Sequence, residues 1–259
     1  MIRIGLIQMH CEKCAIQQNL ETIACALAEA ATRDIEMIGF PEMSLTGYAV
    51  PPRFAEAAID LHGPEVAQLL KLTEPYSATV MVGLIEKNPA GLPFITQIVA
   101  RQGALQGFYR KITIEDEETE WFSPGQGVPV FQAGGLTYGM AICADIGNEV
   151  VFAECARQGA KIVFELAAPG LYGEQATRDW GSGYAWWEGE CQKNLSRYAQ
   201  KYGLWIGVAT QAGRTIDEDF PGGGYLFAPG GERLYTTAGW LPGAAYLALD
   251  FETQRVMEL

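Results

Sequence analysis

Residues 137–166 read TYGMAICADIGNEVVFAECARQGAKIVFEL, and this stretch decides the fold class. An apolar run that ends near Cys143 is followed by a helical pattern over 150–159 and then by a second apolar run, KIVFEL. Apolar runs of this length, with β-branched residues, are typical of buried strands. A strand, a helix and a strand in succession indicate an α/β protein.

The same alternation extends in both directions from this stretch. Further helices are predicted over 17–32, 64–75 and 186–202, and apolar strands lie around them, from RIGLIQM to AAYLALD. No change in composition, flexible linker or repeat divides the chain, so residues 1–259 are predicted to form a single domain. Periodicity alone does not choose between two facing sheets and one doubly wound sheet.

The composition excludes several classes of function. The chain has 18 basic and 31 acidic residues, a net charge of −13, whereas nucleic-acid and anionic-membrane surfaces need basic patches. The amino-terminal apolar stretch is too short for a secretory signal, and no apolar run is long enough to cross a bilayer. We therefore expect a cytoplasmic protein with no nucleic-acid or membrane partner.

Six cysteines are scattered along the chain and are expected to be reduced. Cys11 and Cys14 form a Cys-x-x-Cys beside His10, which would suit a metal or a redox pair, but no second such pair follows. The structural interpretation places both in the loop before the first helix. We expect no metal, and a metal or redox protein is one rival interpretation.

Three reactive side chains each stand at the end of an apolar run. Glu42 occurs in MIGFPEMSLTGY, Lys111 in FYRKITI and Cys143 in YGMAICADIG. Because α/β folds commonly gather their chemistry where strands stop, this carboxylate, amine and thiol indicate a catalytic trio. Arg110 and Lys111 alternate between the two faces of a strand, so only one of them can point inward. Each member of the trio also has a structural interpretation, as a turn cap, a basic strand end or a small buried thiol.

The order Glu, Lys, Cys, with the motifs FPE, YRK and ICAD, resembles the nitrilase or carbon–nitrogen hydrolase superfamily, from IRIGLIQM to YLALD. The resemblance implies a four-layer αββα sandwich and a thiol amidohydrolase that needs no cofactor. Cys143 would be the nucleophile and Glu42 the general base and acid. Lys111 and the backbone N–H of Ala144 would hold the oxyanion, and Lys111 would help keep the cysteine as a thiolate. The expected substrate is a small amide; an N-carbamoyl amine and a nitrile are alternatives.

Family members place a second carboxylate shortly before an aromatic-rich F-x-P-G turn and use it to orient the lysine. In EDEETEWFSPG, counting back from that turn favours Glu118, with Glu120 as the alternative because the spacing varies. Each acid in this run could also be a solvated loop charge. The resemblance further implies a homodimer or a larger homo-oligomer.

Several positions depart from the family pattern. Many members carry a histidine where this chain has Thr113 and a tyrosine where it has Ala144, and the usual F-P-E is replaced by GNE, ending at Glu149. These departures admit a rival from another class, a binding or assembly protein of the same fold that has lost its activity. The three core residues all remain, which favours the enzyme.

Three further residues are candidates for substrate binding. Glu165 in KIVFELAAP stands where many relatives have asparagine or proline, and a carboxylate there would favour a cationic substrate. A salt bridge with Arg178 or Lys161 would explain Glu165 equally well. Tyr48 and Trp187 are predicted to line the pocket, although aromatic residues are often core or subunit-contact residues instead.

Overall fold

The computed structural model describes residues 1–50 and 55–259, in which helices and strands alternate. The α-helices are α1 (Ile16–Ala31), α2 (Pro64–Thr73), α3 (Glu149–Arg157) and α4 (Trp180–Tyr202). The strands are β1 (Ile2–Gln8), β2 (Met37–Gly39), β3 (Thr79–Glu86), β4 (Phe94–Arg101), β5 (Ala104–Arg110), β6 (Phe131–Ala133), β7 (Leu136–Ile142), β8 (Ile162–Ala167), β9 (Trp205–Thr210), β10 (Ala212–Arg214), β11 (Asp219–Pro221), β12 (Gly224–Phe227), β13 (Arg233–Thr236), β14 (Gly243–Asp250) and β15 (Arg255–Glu258). Within the described ranges, no helix combines the length and the apolar character needed to cross a membrane.

The strands form two large sheets and one small ribbon. The first sheet has seven strands in the order β15-β14-β1-β2-β3-β4-β5, the second has six in the order β13-β12-β9-β8-β7-β6, and β10 pairs with β11. At the centre of each sheet three strands are parallel, β1 to β3 in the first and β7 to β9 in the second. Parallel neighbours need crossover connections, which the strand and helix alternation supplies.

The two sheets pack face to face. A Cβ atom on Gly39 of β2 would lie 2.8 Å from the side chain of Leu166 on β8, and one on Gly207 of β9 would lie 3.0 Å from Leu6 on β1. Glycine at these positions lets the sheets approach closely, since a larger side chain would force its neighbour to move. The reactive residues at the strand ends of the two sheets are thereby brought together.

Helices cover the outer faces of both sheets. On β3, Met81 and Ile85 join the apolar cluster between the sheets, whereas Val80, Val82 and Leu84 join the cluster that includes α1 and α2. Helix α3 packs on β7, and α4 packs on β9. The predicted four-layer αββα sandwich is therefore confirmed, and its two sheets account for strands that are apolar on both faces.

The predicted helix boundaries agree with α1, α2 and α3 to within two residues, but α4 begins at Trp180 instead of 186. Asp179 caps this helix, because its carboxylate accepts hydrogen bonds from the N–H groups of Gly181 and Ser182. Glycines in the first turns weaken the helical pattern there. Of the apolar run GVPVFQA, residues 127–133, only β6 forms a strand. No strand is predicted for β10, β11, β13 or β15, because three or four residues are too few to show a strand pattern.

Candidate active site

Glu42 lies in the loop after β2, and its side chain is completely buried. One carboxylate oxygen, Oε1, accepts a hydrogen bond from Lys111 Nζ at 3.0 Å. The other, Oε2, accepts from the backbone N–H of Ala168, just beyond β8, at 3.1 Å. The carboxylate therefore joins the two sheets and is fixed from both sides.

The loop that carries Glu42 rests directly on Gly83 of β3. The Gly83 N–H donates to Ser44 Oγ at 3.0 Å, and the Gly83 carbonyl accepts from the Leu45 N–H at 2.8 Å. A Cβ atom at Gly83 would lie 2.3 Å from the backbone nitrogen of Met43 and 2.7 Å from the carbonyl oxygen of Pro41. The contact is with main-chain atoms, so the position of the loop requires glycine here.

Lys111 follows β5 and points into the core, whereas Arg110 points to the opposite face. The Lys111 side chain is 1% exposed, and its Nζ lies 3.0 Å from Glu42 Oε1 and 2.8 Å from Glu118 Oε2. Arg110 is partly exposed and its Nε donates to Glu86 Oε2 at 2.7 Å. The alternation predicted for this pair delivers the lysine, and not the arginine, to the site.

Glu118 lies on a 3₁₀ turn, Asp116–Glu120, and receives hydrogen bonds from Lys111 Nζ on both carboxylate oxygens, at 3.0 and 2.8 Å. The Tyr48 hydroxyl donates to Glu118 Oε1 at 2.5 Å. Glu120 is exposed on the same turn. Of the two glutamates considered from the sequence, the structure brings Glu118 to the lysine.

Cys143 comes directly after β7 and opens a 3₁₀ turn with a backbone φ of 45°. Residues other than glycine rarely adopt this left-handed region, and strained backbone of this kind clusters at functional sites. The buried carboxylate of Asp145 holds the turn by accepting from the N–H groups of Ile142 and Thr113, both at 3.0 Å. It also accepts from the Tyr109 hydroxyl at 2.7 Å. These bonds fix the direction in which the thiol projects.

In the sequence, Asp145 is noted only as part of the ICAD motif, and Tyr109 is not among the candidate site residues. A signal was available for the aspartate, since a carboxylate two residues beyond a buried strand needs partners. Tyr109 carries no such signal, because an aromatic residue in an apolar strand is typical of the hydrophobic core.

Cys143 is one of the residues that line a cavity of about 710 Å³. Trp187 is buried in its wall, and the indole Nε1 donates to Thr210 Oγ1 at 2.9 Å, which fixes the ring. Besides Cys143 and Trp187, the lining includes four of the residues singled out in the sequence, namely Tyr48, Lys111, Glu118 and Ala144. A cavity of this volume is of the size that small-molecule sites have.

Glu165 lies on β8, outside the lining of this cavity, and is completely buried. Neither of its carboxyl oxygens has a hydrogen-bond partner among the described residues. Burial raises the pKa of Glu165 well above its ordinary value, and the charges of Asp145 and Glu42 add to the rise. Of the cations considered for it, Arg178 pairs with Asp219 at 3.0 Å and Lys161 is exposed.

Cys11 and Cys14 lie in the loop before α1, in the place that the structural interpretation gives them. Cys11 is buried and Cys14 is half-buried. Across residues 1–50 and 55–259, no group of three or more His, Cys, Asp or Glu side chains is arranged to hold a metal ion.

Comparison with known proteins places this site in a family. Residues 3–257 match the model of the carbon–nitrogen hydrolase family. The chain belongs to the carbon–nitrogen hydrolases. Since the match covers almost every residue, it includes the segments that carry Glu42, Lys111 and Cys143.

This member of the carbon–nitrogen hydrolase family matches only part of the length of each of three curated relatives. A probable nitrilase from Schizosaccharomyces pombe is 28% identical over 160 residues, 60% of this chain and 57% of that protein. An (R)-stereoselective amidase from Pseudomonas is 29% identical over 163 residues, 62% of this chain and 58% of that protein. A glutamine-dependent NAD(+) synthetase from Thermotoga maritima is 28% identical over 156 residues, 58% of this chain and 26% of that protein. The chain thus matches between a quarter and three fifths of the length of these relatives.

Solved structures give the same fold over the whole chain. An amidase of the nitrilase superfamily from Nesterenkonia AN1 has a TM-score of 0.80 at 22% identity, covering 100% of this chain and 90% of that one. The glutamine-dependent NAD+ synthetase of Acinetobacter baumannii has a TM-score of 0.83 at 19% identity, covering 100% of this chain and 47% of that one. At these identities the likeness shows the fold of the carbon–nitrogen hydrolases.

Burial governs the ionisation of the trio in this carbon–nitrogen hydrolase family member. Burial raises the pKa of Glu42 to about 7; the nearby Glu118 charge adds to the rise, and Lys111 opposes it. Burial also raises the pKa of the Cys143 thiol, and the Glu42 charge adds to that rise. For Lys111, burial lowers the pKa, but the charges of Glu42 and Glu118 outweigh this and leave it raised.

The raised pKa of the Cys143 thiol runs against the expectation that Lys111 keeps it as a thiolate, which stays a prediction. The physical reason is that two carboxylates already balance the ammonium charge, so little of it remains to stabilise a buried thiolate. Glu42, with a pKa of about 7, is suited to accept and return a proton near neutral pH.

Proposed function

We propose that this protein is a thiol amidohydrolase that cleaves the C–N bond of a small amide. The observation that carries the proposal is the convergence of Cys143, Glu42 and Lys111 beside a cavity large enough for a small molecule. Amidase and nitrilase are also the names of relatives, which supports the same class of reaction.

In the first half of the reaction Cys143 acts as the nucleophile. Its Sγ bonds to the carbonyl carbon while the thiol proton passes to Glu42. Lys111 Nζ and the Ala144 N–H stabilise the oxyanion of the tetrahedral intermediate. Glu42 then returns the proton to the amide nitrogen as the C–N bond breaks, so that ammonia leaves and a thioester remains.

In the second half a water molecule replaces the ammonia. Glu42 removes a proton from the water as its oxygen bonds to the thioester carbon, and the second tetrahedral intermediate uses the same oxyanion donors. The C–S bond then breaks, the sulfur regains a proton from Glu42, and the carboxylic acid leaves. Each proton that Glu42 accepts it also returns, which is why a pKa near neutrality suits its role.

The test of the proposed function is release of ammonia from a panel of small amides, N-carbamoyl amines and nitriles. Ammonia with the matching carboxylic acid from the amides is the expected result. Preferential turnover of N-carbamoyl amines or nitriles would move the assignment to those alternatives. Ammonia from none of them, together with a Cys143 thiol that reacts with iodoacetamide no faster than the other cysteines, would favour a binding protein.

The acidic limb of the pH–rate profile should lie near pH 7. Because Glu42 must be ionised to accept the thiol proton and its pKa is raised to about 7, kcat/KM should rise tenfold per pH unit below pH 7 and level off above it. Initial rates between pH 5 and pH 9 on one neutral amide measure this.

Glu118→Gln should move that limb to lower pH, because the charge of Glu118 raises the pKa of Glu42. Glu120→Gln, which removes the same charge from an exposed position on the same turn, is the matched control and should leave the limb in place. A limb that stays near pH 7 in Glu118→Gln, or that lies near pH 4 in the wild type, would contradict the role given to Glu42.

Gly83→Ala should damage both folding and activity. The added Cβ would meet the backbone at Met43 and Pro41, so the loop that carries Glu42 must shift. Overpacking costs about 1–3 kcal/mol, which corresponds to a fall in Tm of about 5 °C. Misplacing a catalytic group by about 1 Å lowers turnover by about 100-fold. Differential scanning calorimetry and initial rates measure the two effects.

Gly189→Ala is the control for this experiment. Gly189 lies inside α4, where an added Cβ atom meets nothing within 4 Å. Alanine in a helix interior is about 0.5–1 kcal/mol more favourable than glycine, so the Tm should rise slightly with activity unchanged. Equal effects of the two substitutions would show that the Gly83 contact does not position the loop.

A further inference from the structure

Part of the rim of the cavity consists of acids that the amide chemistry does not use. Glu115, Asp116 and Glu117 line the cavity from the turn that also carries Glu118. All three are exposed, and the structure pairs none of them with a cation among the described residues. Glu190 of α4 lines the cavity as well, and its contact with Lys193 is a long one of 3.6 Å.

Among residues 1–50 and 55–259, the positive charge in the cavity lining does not balance these acids. Within the described part of the chain, Lys111 is the one basic side chain in the lining, and its ammonium already pairs with Glu42 and Glu118. Clefts lined by charges of one sign raise the local concentration of ligands of the opposite sign. A substrate that carries a carboxylate would therefore be opposed on entry, and one that carries a cation would be attracted.

Aromatic rings stand in the same part of the lining, and their exposure is an observation independent of the acids. Trp186 is 44% exposed and Tyr172 is 86% exposed, while Trp121 ends the acidic turn. Exposed aromatic rings at the mouth of a cavity offer apolar contact to a ligand, and their faces attract ammonium and guanidinium groups. Acids and aromatic faces together form the usual surroundings of a bound organic cation.

We propose that the substrate is an amide bearing an ammonium or guanidinium group several bonds from the carbonyl, selected by the acids at the cavity rim. This inference rests on the proposed function, because it takes the amide carbon to be the atom that meets Cys143. The selecting charges are Glu115, Asp116 and Glu117. Glu165 takes no part, since it lies outside the lining.

Three amides of similar length test the proposal directly. 5-Aminopentanamide carries an ammonium, hexanamide has the same number of heavy atoms and no charge, and 4-carbamoylbutanoate carries a carboxylate. We expect kcat/KM to fall in that order, with a ratio of about ten between the first two and a decline of this ratio in 0.5 M salt. A ratio near one, or preference for the carboxylate, would overturn the inference.

Removal of the rim charges should abolish the preference. Asp116→Asn and Glu117→Gln should each lower the ratio between 5-aminopentanamide and hexanamide by about threefold, the size of one partly exposed charge pair. The readout is the ratio between the two amides, so a loss of activity that affects both amides equally does not count for or against the assignment. Glu120→Gln removes a carboxylate of the same turn that lies outside the lining and should leave the ratio unchanged. An unchanged ratio when Asp116 and Glu117 are replaced together would overturn the assignment.

The design separates this inference from the proposed function. Hydrolysis of hexanamide that requires Cys143 supports the proposed function whatever the charge preference. If none of the three amides is hydrolysed, the proposed function fails. The charge preference is then measured as binding of the three amides to Cys143→Ala, with tryptophan fluorescence as the signal. Binding of 5-aminopentanamide about tenfold tighter than hexanamide supports the cation site, and equal binding overturns it.

Discussion

Cys143→Ala is expected to lower the turnover of small amides by at least about 10⁴-fold, the scale on which the loss of a catalytic nucleophile is felt. The substitution removes the sulfur that bonds to the carbonyl carbon, and Glu42 and Lys111 cannot replace it. The fold should survive, because alanine keeps the Cβ atom and the φ of 45° at this position is held by the turn around it. Ammonia release and the Tm measure the two properties.

A second readout identifies the intermediate. Wild-type protein quenched in acid during turnover should carry an acyl group on the peptide that contains Cys143, seen as added mass. Cys25→Ala is the matched control, because Cys25 is an exposed thiol on α1, and it should keep full activity. Substantial turnover by a correctly folded Cys143→Ala would remove the thiol from the mechanism and, with it, the proposed function.

Lys111→Met is expected to have the largest combined effect on stability and rate. Glu42 and Glu118 would be left without the cation that they share, and breaking a buried ion pair on one side costs about 3–5 kcal/mol. In a chain of this size the Tm should fall by about 10 °C. Loss of one oxyanion donor should lower kcat by about 10²–10³-fold.

The pH dependence identifies the cause of the instability. Burial raises the pKa of Glu42 and Lys111 opposes that rise, so without the lysine the native state holds a proton on Glu42 that the unfolded chain releases, and stability is lost as pH rises. The deficit of Lys111→Met relative to the wild type should therefore shrink below about pH 5. Adding Glu118→Gln should restore part of the Tm but not the activity. Recovery of both would reduce Lys111 to a structural role.

The sequence predicts the layers and the trio because both follow from patterns of neighbouring residues along the chain. Apolar strands alternate with helical patterns, and Glu42, Lys111 and Cys143 each stand where such a strand ends. The choice of Lys111 over Arg110 followed from strand alternation together with the resemblance, and the structure agrees with it.

Other features depend on contacts between segments that are far apart in the sequence, and such contacts leave no local sequence pattern. The bond between Tyr109 and Asp145 joins residues 36 positions apart, and the ionisation of Cys143 depends on how two carboxylates share one lysine. The acids of the 3₁₀ turn looked like a solvated run, since a charged run in sequence is the same whether or not it borders a cavity. Glu165 suggested a functional interpretation by its residue type, but it is completely buried on β8 and is not among the residues that line the cavity.

Glu42 and Lys111 follow strands of one sheet, and Cys143 follows a strand of the other. The proposed base and nucleophile are thus 101 positions apart in the chain and meet only when the two layers dock. A chain in which only one of the two sheets has formed would have Cys143 without the carboxylate that is proposed to take its proton. We therefore expect chemical competence only after the two sheets have packed together, so that activity reports on the docking of the two layers.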